Sequence, residues 1–153
     1  MEYRRGNEGG EMAFGLVQKC LAAAHINDLE HAYECIDFLC HSYWSKAFTS
    51  YHDPGEIFNL DISGGLPALI SEMLVQSSQK EIKILPILPK QWPSGKIIGV
   101  RTRTKSTIDI EWENGQPTYL RILANEANEF KVTYKNQSWD LILKKNEVYE
   151  NSF

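Results

Sequence analysis

At "SSQK", residues 77–80, the spacing of apolar side chains changes from helical to alternating, and this switch constrains the fold more than any other feature. Before it, Met12, Ala13, Phe14, Leu16, Val17, Cys20, Leu21 and Ala24 recur at helical intervals and predict a helix from about Gly10 to Ala24. In "HINDLEHAYECIDFLCHSY", Asn27 is the expected cap with Glu30 three residues on, and Leu29, Ala32, Tyr33, Ile36, Leu39 and Cys40 form one stripe. The short connection predicts that this second helix runs antiparallel to the first. Residues 45–58 carry Asp53-Pro54-Gly55, a strong turn signal, and read as a loop. Gly64 and Gly65 are then expected to open a third helix, Leu66 to about Gln76, with Pro67 near its first turn, where the missing N–H is harmless.

After the switch, "EIKILPIL", "KIIGVRTRT", "STIDIEWE", "TYLRILA", "EFKVTYK" and "WDLILKK" read as short strands, with Asn114-Gly115 as a hairpin turn. In "IDIEWE", Ile108, Ile110 and Trp112 point one way and Asp109, Glu111 and Glu113 the other, as a half-buried antiparallel strand requires. The expected fold class is α+β: a helical segment over residues 1–78, then a small antiparallel β-sandwich over residues 79–153.

A chain of 153 residues fits one ordinary domain, or a helical half and a sheet half sharing an interface. With a net charge of -4 and sixteen scattered Lys and Arg, the footprint of a nucleic-acid binder is missing. The longest apolar run, "MAFGLVQKCLAAA", is broken by Gln18 and Lys19 and falls short of the roughly 20 residues a membrane helix needs. The opening "MEYRRGNEGGE" leads into no bounded apolar core with a cleavage site, so no secretory signal is visible and the cytoplasm is the default compartment. Cys20, Cys35 and Cys40 fall in expected helices and read as reduced structural thiols, and Cys35, Cys40 and His41 match no zinc spacing.

Among polar residues, Asp61 ends an apolar run just before two glycines and a helix. Taken alone, it reads as a carboxylate favouring the helix N-terminus. His52, Asp53 and Glu56 fall within one loop and could supply an acid and a base, although Asp53 is more simply a turn residue and Glu56 a solvated one. Trp92, Trp112 and Trp139 are expected to pack, whereas Trp44 and Tyr51 flank the loop and are the better candidates for stacking on a sugar. Glu72 reads as a surface residue.

The order Phe58-Asn59-Leu60-Asp61, Gly64-Gly65, "ALISEMLVQS", "EIKILPILPKQWPSG" and "GVRTR...IDIEW" resembles the end of glycoside hydrolase family 95. The family pattern there runs approximately Phe-Gln-Ile-Asp-Gly-Asn-Phe-Gly-Gly, Glu-Met-Leu-Leu-Gln-Ser, Leu-Leu-Pro-Ala-Leu-Pro and Trp-Pro-Ser-Gly. The resemblance covers most of the chain; beyond Trp112 it rests on pattern alone. It departs at Ile62-Ser63-Gly64, where the family has Gly-Asn-Phe, and in "HDPGEIF", which is longer than the family's His-Pro-Pro-Phe.

The resemblance implies the end of an (α/α)6 barrel followed by a C-terminal β-sandwich. It implies an inverting α-L-fucosidase, or in some members an α-L-galactosidase, with no metal or organic cofactor. Asp61 then takes the place of an aspartate that works with asparagine side chains to draw a proton from the attacking water, and His52 matches the family's histidine. The family's general acid is a glutamate well upstream. The chain is therefore expected to be a truncated or split form, weak or inactive alone. Its expected partners are a fucosylated glycan and either an upstream barrel polypeptide or a second copy. Family members often act in the periplasm or outside the cell, against the cytoplasmic default. The competing reading is a non-catalytic carbohydrate-binding or structural module.

Overall fold

The computed structural model describes residues 12–153, so the expected helix start at Gly10 and the reading of residues 1–11 as carrying no secretory signal lie outside the described residues. The fold is α+β. The chain divides into two compact units, Met1–Glu72 and Met73–Phe153.

In the first unit, α1 (Ala13–His25) buries Ala13, Leu16, Cys20, Ala23 and Ala24, and α2 (Leu29–Ser42) buries Ala32, Cys35, Ile36 and Leu39. The small side chains let the two helices close up, and Cys20 Sγ reaches Ala32 O at 3.4 Å. The cap of α2 is Asp28 rather than Asn27: its carboxylate accepts the His31 backbone N–H at 3.2 Å and lies 2.8 Å from His31 Nδ1. Asn27 instead takes the left-handed bend between the helices, φ 60, a conformation asparagine tolerates. Residues 51–58 are not a loop but a hairpin, β1 (Tyr51–Asp53) and β2 (Glu56–Phe58), with Tyr51 opposite Phe58 and Asp53 opposite Glu56 across the Pro54-Gly55 turn. The turn was legible in the sequence; the pairing of two three-residue strands was not.

The third helix, α3 (Asp61–Leu74), begins five residues before its expected start at Leu66, so Asp61 lies within its first turn. Ile62 is the reason on the core side, since it is fully buried together with Leu69 and Met73. Gly65 does not open the helix. It lies inside α3 against α1, where a Cβ would come 2.9 Å from Val17 Cγ2, so its missing side chain permits close helix packing. Pro67 is likewise an interior residue, not a first-turn one. Ser71 Oγ donates to the Pro67 carbonyl at 2.8 Å. Glu72 lies 3.8 Å from His25 Nε2 in a part-exposed pair.

The helix stops at Leu74, two residues before the expected Gln76, because Val75–Ser77 forms β3 and pairs with β4 (Glu81–Ile84). The second unit contains two four-stranded sheets. One has the order β3-β4-β8-β9, with β8 (Asn128–Tyr134) and β9 (Gln137–Leu143). The other has the order β10-β7-β6-β5, with β5 (Gly95–Arg101), β6 (Ser106–Glu113), β7 (Gln116–Ala124) and β10 (Val148–Ser152). All pairs are antiparallel except β4 with β8, a parallel register of Glu81 with Lys131 that alternation along single strands cannot reveal. The strand β10 was not expected either, since the alternation of "VYENS" has no strong apolar side.

Ile108, Ile110, Leu120 and Ile122 of one sheet, and Ile82, Ile84, Phe130 and Val132 of the other, are buried and form the sandwich core. On the outer face, Glu150, Arg121 and Asp109 stand in register across β10, β7 and β6, with Arg121 Nη1 3.2 Å from Asp109 Oδ2 and Nε 3.7 Å from Glu150 Oε1. As expected, Asp109, Glu111 and Glu113 alternate with buried neighbours. The turn Asn114-Gly115 has both residues at positive φ, 52 and 71. Among the described residues no helix is long and apolar enough to cross a membrane.

Candidate functional site

Asp61, the carboxylate singled out in the sequence, is exposed at the start of α3, and one residue holds it: Asn59. The Asn59 Oδ1 accepts the Asp61 backbone N–H, while Nδ2 donates to Asp61 Oδ2 at 3.0 Å and lies 3.1 Å from His52 Nδ1. A single amide thus links the histidine of β1 to the aspartate of α3.

The backbone of Asn59 is held from the opposite side. Its N–H donates to Ser50 O at 3.0 Å, and Ser50 Oγ donates to its carbonyl. Ser50 Oγ also lies 3.1 Å from Ser63 Oγ, so Ser63 packs against the support of the site. Ser50 is 1% exposed and Ile62 is 0% exposed, which fixes the strand entry and the helix start on a buried footing while Asp61 stays at the surface. The sequence drew attention to Asp61 and His52 but missed Asn59, Ser50 and Ser63. The available signal was Asn59 two residues before Asp61, a spacing at which an asparagine side chain folds back on its own backbone.

Of the other expected contacts, Trp44 and Tyr51 join this group through the backbone. Trp44 forms an isolated antiparallel bridge with Ser50, and Tyr51 N donates to Tyr43 O at 2.9 Å. Both side chains are half-buried. Asp53 and Glu56 flank the hairpin turn.

Of the tryptophans expected to pack, Trp112 and Trp139 do so, and Trp92, half-buried, contributes its backbone carbonyl. Trp112 is 7% exposed, and its Nε1–H donates to Trp92 O at 3.0 Å. Trp139, half-buried on the face of β9 that carries Leu141 and Leu143, meets Phe153 edge-on at 6.2 Å. None of the three cysteines forms a disulfide: Cys20 and Cys35 are interior and Cys40 is exposed, and burial pushes the Cys20 thiol up to about 12. Among the described residues no three His, Cys, Asp or Glu side chains gather as a metal site would need. The second unit has an open recess of about 400 Å³ beside Gly95, walled by Lys96, Glu111, Glu113 and Thr118.

Chemically, the first-unit group sets an exposed carboxylate beside an imidazole, both tied to one neutral amide. That arrangement can accept a hydrogen bond from a hydroxyl or a water at Asp61 and offer a ring N–H from His52.

The model of the glycoside hydrolase family 95 C-terminal domain matches residues 76–152. The alpha-L-fucosidase 2 of Arabidopsis thaliana is 28% identical over 148 residues, which cover 88% of this chain and 17% of that protein. The chain therefore spans about a sixth of the length of this relative.

Proposed function

The chain belongs to glycoside hydrolase family 95, and from that premise we propose that it is the C-terminal portion of an inverting α-L-fucosidase-like hydrolase acting on terminal α-L-fucosyl or α-L-galactosyl bonds. The observation that carries this reading is the exposed Asp61 carboxylate, tethered by Asn59 at the mouth of a hairpin with His52 alongside.

Inverting hydrolysis needs a general acid at the leaving oxygen and a second group, across the sugar, that takes a proton from water as it attacks the anomeric carbon. In this proposal Asp61 assists that water, His52 binds a sugar hydroxyl, and Trp44 and Tyr51 border the pocket. The acid comes from polypeptide outside these 153 residues, either an upstream barrel segment or another subunit. No cofactor enters the proposed reaction.

Exposed apolar side chains in the segment that leads into Asp61 support the idea of a covering partner. Phe48, Ile57, Phe58 and Leu60 are 84%, 70%, 60% and 68% exposed. Ile57 also sits at φ 49, a costly conformation for a β-branched residue, and it recovers nothing by burial within the chain. Apolar surface of this kind marks an interaction site.

The second reading, a non-catalytic sugar-binding module, draws on the recess beside Gly95 with its lysine and two carboxylates. One experiment separates the two. Titrating 2'-fucosyllactose into the labelled chain is expected to shift the resonances of His52, Asn59 and Asp61, with no fucose released. Release of the inverted anomer, abolished in Asp61→Asn, would support the pocket and overturn the need for a partner. Shifts confined to Lys96, Glu111 and the Trp112 indole would favour the module. No shift anywhere would overturn both.

A further inference from the structure

The geometry points to Asn59 as the positioning residue of this site, one that holds His52 as the neutral tautomer with its proton on Nε2 and presets His52 and Asp61 as one hydrogen-bond donor and one acceptor. The purpose of this device rests on the sugar-pocket reading; its chemistry does not.

Two atoms around Asn59 have no choice of role. A backbone N–H can only donate, so the Asn59 atom that receives the Asp61 N–H is the carbonyl oxygen Oδ1. The atom 3.0 Å from Asp61 Oδ2 is then Nδ2, which agrees with an ionised carboxylate oxygen that can only accept. Reversing the amide would set two oxygens against each other and an NH2 group against an N–H, so two independent partners fix its orientation.

With the orientation fixed, the group facing His52 Nδ1 at 3.1 Å is an NH2 donor. Nδ1 must therefore accept, and a neutral imidazole that accepts at Nδ1 carries its hydrogen on Nε2. Each hydrogen of the Asn59 NH2 has its own acceptor, one on His52 and one on Asp61. The Asp61 Oδ1 has no partner among the described residues and remains open to a ligand. The pair is arranged for a polyol, with one hydroxyl oxygen receiving Nε2–H and a second hydroxyl, or a water, donating to the carboxylate.

Asn59 itself is anchored through its backbone to Ser50, so changes to its side chain leave that anchor in place.

The test reads the ring directly, without substrate. In the 15N-labelled chain above the imidazole titration range, long-range 1H–15N correlations of His52, assigned with a His52→Gln variant, are expected to show a pyridine-type Nδ1 and a pyrrole-type Nε2. In Asn59→Asp the new carboxylate accepts instead of donating, so the pattern should invert to Nδ1–H. A wild-type ring found as Nδ1–H, or as an even mixture of tautomers, overturns the proposal. So does a folded Asn59→Asp chain whose His52 pattern does not invert. Where Asn59→Asp fails to fold, Asn59→Ala supplies the comparison: removing the NH2 donor should raise the Nδ1–H fraction of His52, and an unchanged tautomer ratio overturns the proposal. The tautomer can be as stated while 2'-fucosyllactose fails to bind, so a failure of the fucosidase reading and a failure of this inference are separate results.

Discussion

Gly95 stands directly opposite Trp112 in the β5–β6 pair, and a Cβ there would lie 2.5 Å from Trp112 Cζ2 and 2.9 Å from Cη2. The six-membered ring of the indole sits against the glycine while its N–H is used by Trp92 O. Two residues of "WPSG" thus make the cradle of a core tryptophan, which gives that motif a structural reason. Gly95→Ala is expected to cost about 1–3 kcal/mol by forcing the ring off its seat. Urea unfolding followed by tryptophan fluorescence would check this, and an unchanged midpoint would contradict it. At the same scale, Asp61 was legible because a carboxylate after an apolar run is conspicuous. Asn59 was not, because an amide becomes a bridge only when a hairpin brings His52 back to it.

The elements differ in how far local sequence controls them. The cap of α2 is a local device, and its acid sensitivity follows from its partner. The side-chain hydrogen bond from His31 holds the Asp28 carboxyl below its ordinary value, aided by the His31 backbone N–H and opposed by desolvation. A carboxylate with a depressed folded value stabilises fully above its unfolded value, about 3.9, and loses that contribution as pH falls through the folded value. Protection of the first-turn amides of α2, taken relative to their intrinsic exchange rate, is therefore expected to fall below about pH 4 in the wild type, and an Asp28→Ala chain should lack that step. Equal acid sensitivity in both would count against the cap. The early start of α3 is the opposite case. Gly64 and Gly65 look like a helix boundary, but the burial of Ile62 and the close approach of Gly65 to Val17 carry the helix through them. Tertiary packing overrides local propensity there.

For the whole molecule, the exposed Phe48, Ile57, Phe58 and Leu60 set an expectation about association. Sedimentation velocity at rising concentration should show self-association, and a Phe58→Ser, Leu60→Ser double variant should shift the distribution toward monomer. A wild-type chain that stays monomeric at high concentration would remove the second copy as the covering partner and leave the upstream polypeptide.

The division into helices followed by strands, the inward face of "IDIEWE" and the Asn114-Gly115 turn were determined by the sequence alone. Each depends on side-chain periodicity or on backbone preferences within a few residues. The resemblance in "LDISGG" and "QWPSG" also stood in the sequence, and the family match over residues 76–152 bears out the family it pointed to. Only the tertiary structure decided the parallel pairing of β4 with β8, the β1–β2 hairpin, the strand β10 and the meeting of His52, Asn59 and Asp61. These join residues whose partners lie on other segments, and periodicity along one segment carries no information about which other segment will lie beside it.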